Sequence, residues 1–173
     1  MQITAVADMK VSERIHYAMQ ETLAGELQKH VDGFNPDRMV WEWAEDRAGA
    51  QQTPIIEIID TGHTLDYETL RGRDADGNVV SGIVKNDYTY TITVFERGRD
   101  STDVQRKVSN WLDAFEAVLR DQTSLGGLPV MVIAQSADPT SAFTVDSDLF
   151  GAGQVMAEVS AWHEQDQSTF PSD

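Results

Sequence analysis

Val11, Ile15, Met19, Leu23 and Leu27 recur every fourth residue, with Ala18 alongside, and this spacing predicts a helix over Met9 to Val31. Asp8 or Ser12 stands where a cap is needed, and Val31-Asp32-Gly33 followed by Asn35-Pro36 stops the helix. Gly25 weakens its middle by about 1 kcal/mol relative to alanine. A second helix is predicted over Thr102 to Asp121. There Val104, Val108, Trp111, Leu112, Phe115, Val118 and Leu119 form one wide apolar stripe and supply the candidate core. Asp100 or Ser101 caps it, and Asp103–Lys107 and Glu116–Arg120 are four-residue charge pairs.

Between and after the helices the period changes to two. Pro54 opens a strand over Ile55 to Asp60, and Thr61-Gly62 breaks it. A second strand is expected from Thr64 to Leu70 and a returning one from Val79 to Val84. Arg71 to Asn78, with Asp74-Ala75-Asp76-Gly77, is then the tip of an exposed hairpin. Asp87 to Glu96 alternates throughout: Tyr88, Tyr90, Ile92 and Val94 take one face, and Thr89, Thr91, Thr93 and Phe95 the other. Both sets favour a central strand. Leu128 to Ala134 is continuously apolar and reads as a strand buried on both faces. Ala142 to Val145 is a short strand, Gly151-Ala152-Gly153 a break, and Val155 to Trp162 a final alternating strand.

This order predicts an α+β fold: two amphipathic helices packed on a mostly antiparallel sheet with a protruding β-hairpin. Residues 1–163 form a single domain in this reading, and 164–173 a flexible tail. Residues 32–52 fit no element cleanly. Within them Met39 to Trp43 alternates like a short strand, and Trp41 and Trp43 read as core or as contact surface.

Composition narrows the function by exclusion. The chain has 173 residues, 40% of them hydrophobic, and a net charge of −16, so it is long enough to bury a core. The charge argues against wrapping nucleic acid, whose phosphates it repels. No cysteine is present, which excludes disulfides and thiol chemistry. Met1 to Lys10 lacks the pattern of a signal peptide. The best apolar run, Pro129 to Ala134, is far short of a membrane span, and none of the four asparagines begins a glycosylation site. A protein folded in a reducing cytoplasm is expected.

Motifs for chemistry fail one by one. No lysine is followed by Ser or Thr, as a phosphate loop requires. Gly151-Ala152-Gly153 starts a dinucleotide-like spacing, but Met156 stands where the third glycine belongs. His163-Glu164 begins a zinc-protease pattern whose second histidine falls on Gln167. Asp74, Asp76 and Gly77 resemble part of a calcium loop, but the glycine comes too early. A Gly-Xaa-Ser-Xaa-Gly nucleophile elbow is absent. No catalytic residue, cofactor site or metal site is therefore assigned, and an interaction or structural protein is expected rather than an enzyme.

The stretch Tyr88 to Leu128 reads YTYTITVFERGRDSTDVQRKVSNWLDAFEAVLRDQTSLGGL. An alternating strand passes through a charged turn into an amphipathic helix, then through Thr-Ser-Leu-Gly-Gly into an apolar strand. This resembles the tail terminator (tail completion) proteins of long-tailed bacteriophages, which have an N-terminal helix, a sheet with a protruding hairpin, a second helix and closing strands. The agreement in length and element order extends over most of the chain, outside residues 32–52 and the last ten.

The resemblance implies a structural virion protein at the tail–neck junction, assembled in the host cytoplasm. Its partners are then further copies of itself in a ring, usually a hexamer, the tail tube protein and the head completion or connector protein. DNA passes through the lumen without specific binding. Asp74 and Asp76 at the hairpin tip are candidates for an acidic lumen, and Trp41 and Trp43 for the subunit interface. Other readings are another neck or tail-tube component, or an unrelated acidic protein-binding or inhibitor domain.

Overall fold

The computed structural model describes residues 10–31, 34, 53–67, 72–73, 75–80, 82–122, 124–126, 128, 130–139, 142–145 and 147–164. The chain is α+β. Helix α1 (Val11–Glu26) runs into a 3-10 turn (Leu27–Lys29). Strands β1 (Ile55–Tyr67), β2 (Gly72–Arg73), β3 (Val79–Val80) and β4 (Ile83–Gly98) follow. Helix α2 (Ser101–Asp121) leads to β5 (Val130–Pro139), β6 (Phe143–Val145) and β7 (Asp148–Glu164). The main sheet has the order β1-β4-β7-β5, with β6 also on β7, and every pairing in it is antiparallel. β4 and β7 pair without a break from Ile83↔Glu164 to Gly98↔Leu149. At about 3.3 Å per residue this central pair is roughly 50 Å long.

Both helices cover one face of this sheet. From β4 that face takes Val84, Tyr88, Tyr90, Ile92 and Val94, and from β7 it takes Val155, Ala157, Val159 and Ala161, all buried. Val104, Val108, Trp111, Leu112, Phe115, Val118 and Leu119 of α2 are buried against them, as are Val11, Ile15, Met19 and Leu23 of α1. The Tyr90 hydroxyl donates to the Ser12 carbonyl at 2.9 Å and ties α1 to the middle of β4. Burial chiefly, and the nearby charge of Asp60 after it, push the Tyr90 phenol far above its ordinary pKa.

Caps and charge pairs fix the helix ends. The Asp100 side chain accepts from the Asp103 amide at 2.9 Å and caps α2. Lys107 and Arg120 lie 3.3 Å and 3.9 Å from Asp103 and Glu116. Hydrogen bonds, first from the Arg99 amide and then from Arg106, hold the Asp103 carboxyl below its ordinary pKa. At α1 the cap position falls on Lys10, whose amide donates to Glu13, and not on Ser12; Asp8 lies outside the described residues.

Several boundaries differ from the sequence expectation. Helix α1 ends at Glu26, and the next three residues tighten into the 3-10 turn. Thr61-Gly62 does not break the first strand. The register shifts there by one residue as a β-bulge, and β1 runs on to Tyr67, so Thr64 to Tyr67 belongs to the first strand and not to a separate one; residues 68–70 lie outside the described residues. The bulge is held locally: the Thr61 hydroxyl donates to the Thr89 carbonyl at 3.0 Å, and the Gly62 amide to Asp60 at 3.1 Å. Val79 to Val84 is likewise not one strand. Val79–Val80 pairs with Gly72–Arg73 as a small ribbon, and Ile83 already belongs to β4. Gly151 and Gly153 do not interrupt β7 but lie inside it beneath α2.

The apolar run over Leu128 to Ala134 is not buried on both faces. Val130 and Val132 are buried, whereas Met131 and Ile133 are 43% and 48% exposed. The reason is topological. β5 ends the strand order, and the helices cover only one side of it.

Candidate functional site

The face of the sheet opposite the helices carries the surface features from which a function can be argued. Its composition follows from strand alternation. β4 turns Lys85, Asp87, Thr89, Thr91, Thr93, Phe95 and Arg97 this way, and β7 turns Trp162, Ser160, Glu158, Met156, Gln154 and Ala152. Cross-strand register arranges them in rows, such as Ile59–Thr91–Met156 and Thr64–Asp87–Ser160–Met131.

The face has three zones. At one end Phe143 stacks on Phe150 with ring centres 6.0 Å apart and meets Phe95 edge-on at 6.4 Å, with Ile55 and Ala152 buried nearby. The middle is a half-buried field of threonines with Glu57, Gln154, Met156 and Glu158. At the other end Ser160, itself buried, donates to Asp87. Lys85 lies 2.9 Å from the same carboxylate and 5.9 Å from the centre of the Trp162 ring.

Burial pushes the Asp87 carboxyl up. The hydrogen bonds from Ser160 and Lys85, with the Lys85 charge, outweigh it and hold the pKa below the usual aspartate value. A carboxylate depressed by folding stabilises the fold fully above the unfolded pKa near 3.8, and that contribution is lost as pH falls through the lower folded value. Asp87→Asn is therefore expected to cost about 1 kcal/mol at pH 7, and the gap to the parent chain to narrow below pH 3.8. Urea unfolding of both chains at pH 7 and pH 3 measures this. A gap that does not change with pH would rule out Asp87 as the titrating group.

Both edges of the sheet are apolar in part. On β1, Ile59 is 48% exposed and Leu65 is 51% exposed, and the edge also carries Glu57, Asp60 and Asp66. On β5 the exposed residues are Met131 and Ile133. Among the described residues no strand pairs with the outer side of either.

Little else points to chemistry. Among the described residues, no three or more His, Cys, Asp or Glu side chains are grouped to hold a metal ion. A shallow depression of about 350 Å³ between α1 and the α2–β5 turn is lined by Arg14, Tyr17, Glu21 and Leu125. Another, of about 480 Å³, is lined by His30, Asn110 and Asp113. Neither has a buried titratable side chain in its wall. No helix among the described residues is long and apolar enough to cross a membrane.

The residues singled out from sequence fall as follows. Val104, Val108, Trp111, Leu112, Phe115 and Leu119 are buried together. Asp76 is exposed in the turn between β2 and β3, where Gly77 takes a φ of 82° and Arg73 donates to the Gly77 carbonyl at 2.6 Å. Asp74, Trp41 and Trp43 lie outside the described residues. The two edges escaped sequence reasoning. For β5 the signal was the charge-free run Val130 to Ala137 in a chain that is 24% charged; β1, with Glu57, Asp60 and Asp66, carried no such signal. No protein-family model and no curated protein matches the chain.

Proposed function

We propose that the protein is a structural virion component that caps a phage tail tube as a ring, ends tube growth and offers the joining surface for the head connector. One observation carries this reading: a main sheet with two different, partly apolar edges and a face that no helix among the described residues covers. A ring is a heterologous contact closed by rotation, and it requires two unlike complementary surfaces on each subunit. The element order supports the reading as well, since α2 joins the alternating strand β4 to the apolar strand β5, as in the tail terminators that this sequence resembles. In such a ring, a chain with net charge −16 favours a lumen that repels DNA phosphates, and the exposed Asp76 is a candidate for its lining.

The test is light scattering coupled to size exclusion, followed by negative-stain imaging of the protein with purified tail tubes. A single layer that stops tube growth is expected. Long stacks would identify a tube protein instead. A monomer that ignores tubes would overturn the reading in favour of an acidic binding or inhibitor domain.

A further inference from the structure

We infer that copies of this chain join edge to edge, the β5 strand of one pairing antiparallel with the β1 strand of the next. The inference deepens the ring reading and rests on it.

Three observations carry it. The first is strand parity. In the order β1-β4-β7-β5 all neighbours are antiparallel, so β5 runs opposite to β1 of its own copy. Rotation about an axis along the strands preserves their direction. A rotated neighbour therefore presents its β1 antiparallel to β5, and the alternation continues through every contact of a ring, whatever the number of copies.

The second is the side-chain match. Ile59 of β1 and Met131 and Ile133 of β5 all project from the helix-free face and are all exposed. Carried across the seam at the level of its own row, Ile59 faces Ser136 of the next copy and lies diagonal to Ile133, within reach of a cross-strand contact.

The third is charge. Exposed edges are commonly guarded against pairing by lysine, other charges or proline. Val130 to Ala137 has none of these; the charge and the proline of β5, Asp138 and Pro139, stand together at its end and leave the first eight residues of this edge open to pairing. The β1 edge carries Glu57, Asp60 and Asp66, so two β1 edges repel each other, whereas β5, whose one charge is Asp138 near its end, accepts one along the uncharged run Val130 to Ala137. Pairing of β5 with a second β5 is the competing arrangement. It leaves Ile59 and Leu65 uncovered and ends at a dimer.

The absence of cysteine makes the test direct. Full-length Ile59→Cys, Ile133→Cys and the double variant are treated with a bis-maleimide of about 8 Å reach, which spans direct and diagonal cross-strand neighbours. Each is treated alone and on tail tubes. The double variant is expected to give a ladder of covalent multimers ending at the ring size, and the single variants to stay monomeric on denaturing gels. Covalent dimers from Ile133→Cys alone would overturn the inference in favour of a β5–β5 contact. Rings that form on tubes without cross-linking would overturn the edge pairing and leave the ring standing. A cross-linked ladder from a protein that never caps tubes would support the pairing and sink the terminator reading. Ile133→Lys adds a check at a solvent-exposed position: ring formation is expected to be lost with the melting temperature of the monomer unchanged. Intact rings would count against the pairing.

Discussion

Trp111→Ala is expected to lower the stability of the chain by about 3–5 kcal/mol, the cost of emptying a large aromatic site in a packed core. Trp111 is only 7% exposed and sits at the centre of an aromatic group, its ring centre 6.1 Å from Phe34 and 6.0 Å from Phe115. Its indole Nε1–H also donates to the buried Glu96 carboxylate at 2.9 Å, whose other oxygen accepts from the Arg97 amide at 3.2 Å. Truncation therefore leaves a cavity and a buried carboxylate with one donor fewer. Trp111→Phe separates the two effects. It keeps most of the ring volume and removes the N–H, so it is expected to cost about 1–3 kcal/mol. Urea unfolding followed by circular dichroism measures both. An unchanged midpoint for the alanine variant would mean that α2 does not pack through this face.

The α2 face was legible because several local signals agree on it. The apolar offsets follow the helical period, Asp100 provides a cap, and both four-residue charge pairs form. The alternation of β4 was legible for a similar reason: one face is wholly buried and the other half-buried, so the pattern survives in the side chains. Where the reading failed, a distant contact decided the outcome. Thr61-Gly62 has the composition of a turn, yet pairing with β4 carries the strand through it as a bulge. The run Val130 to Ile133 has the composition of a doubly buried strand, yet its place at the end of the strand order exposes alternate residues. Composition gives no information about strand order, so the two edges on which assembly is argued could not be found from hydropathy alone.

Gly151 and Gly153 are a similar case and lead to the other large expected effect. Glycine inside a strand ordinarily signals a weak point. Here it marks a close approach, because a Cβ on Gly151 would lie 2.0 Å from Val104 Cγ1, and one on Gly153 would lie 2.5 Å from Val108 Cγ1. Neither valine can rotate away freely, since both are buried in the core and β-branched side chains in helices hold one rotamer. An added methyl must therefore push α2 off the sheet at its first turns, and overpacking of this kind costs about 1–3 kcal/mol or more. Gly151→Ala is expected at the upper end of that range, because the overlap falls at the junction of α2 with the central strand pair. The double variant Gly151→Ala with Val104→Ala removes the obstructing methyl and is expected to recover part of the loss, even though Val104→Ala alone destabilises. The coupling energy from the four chains measures the contact itself. Strictly additive effects would mean that α2 does not rest on Gly151.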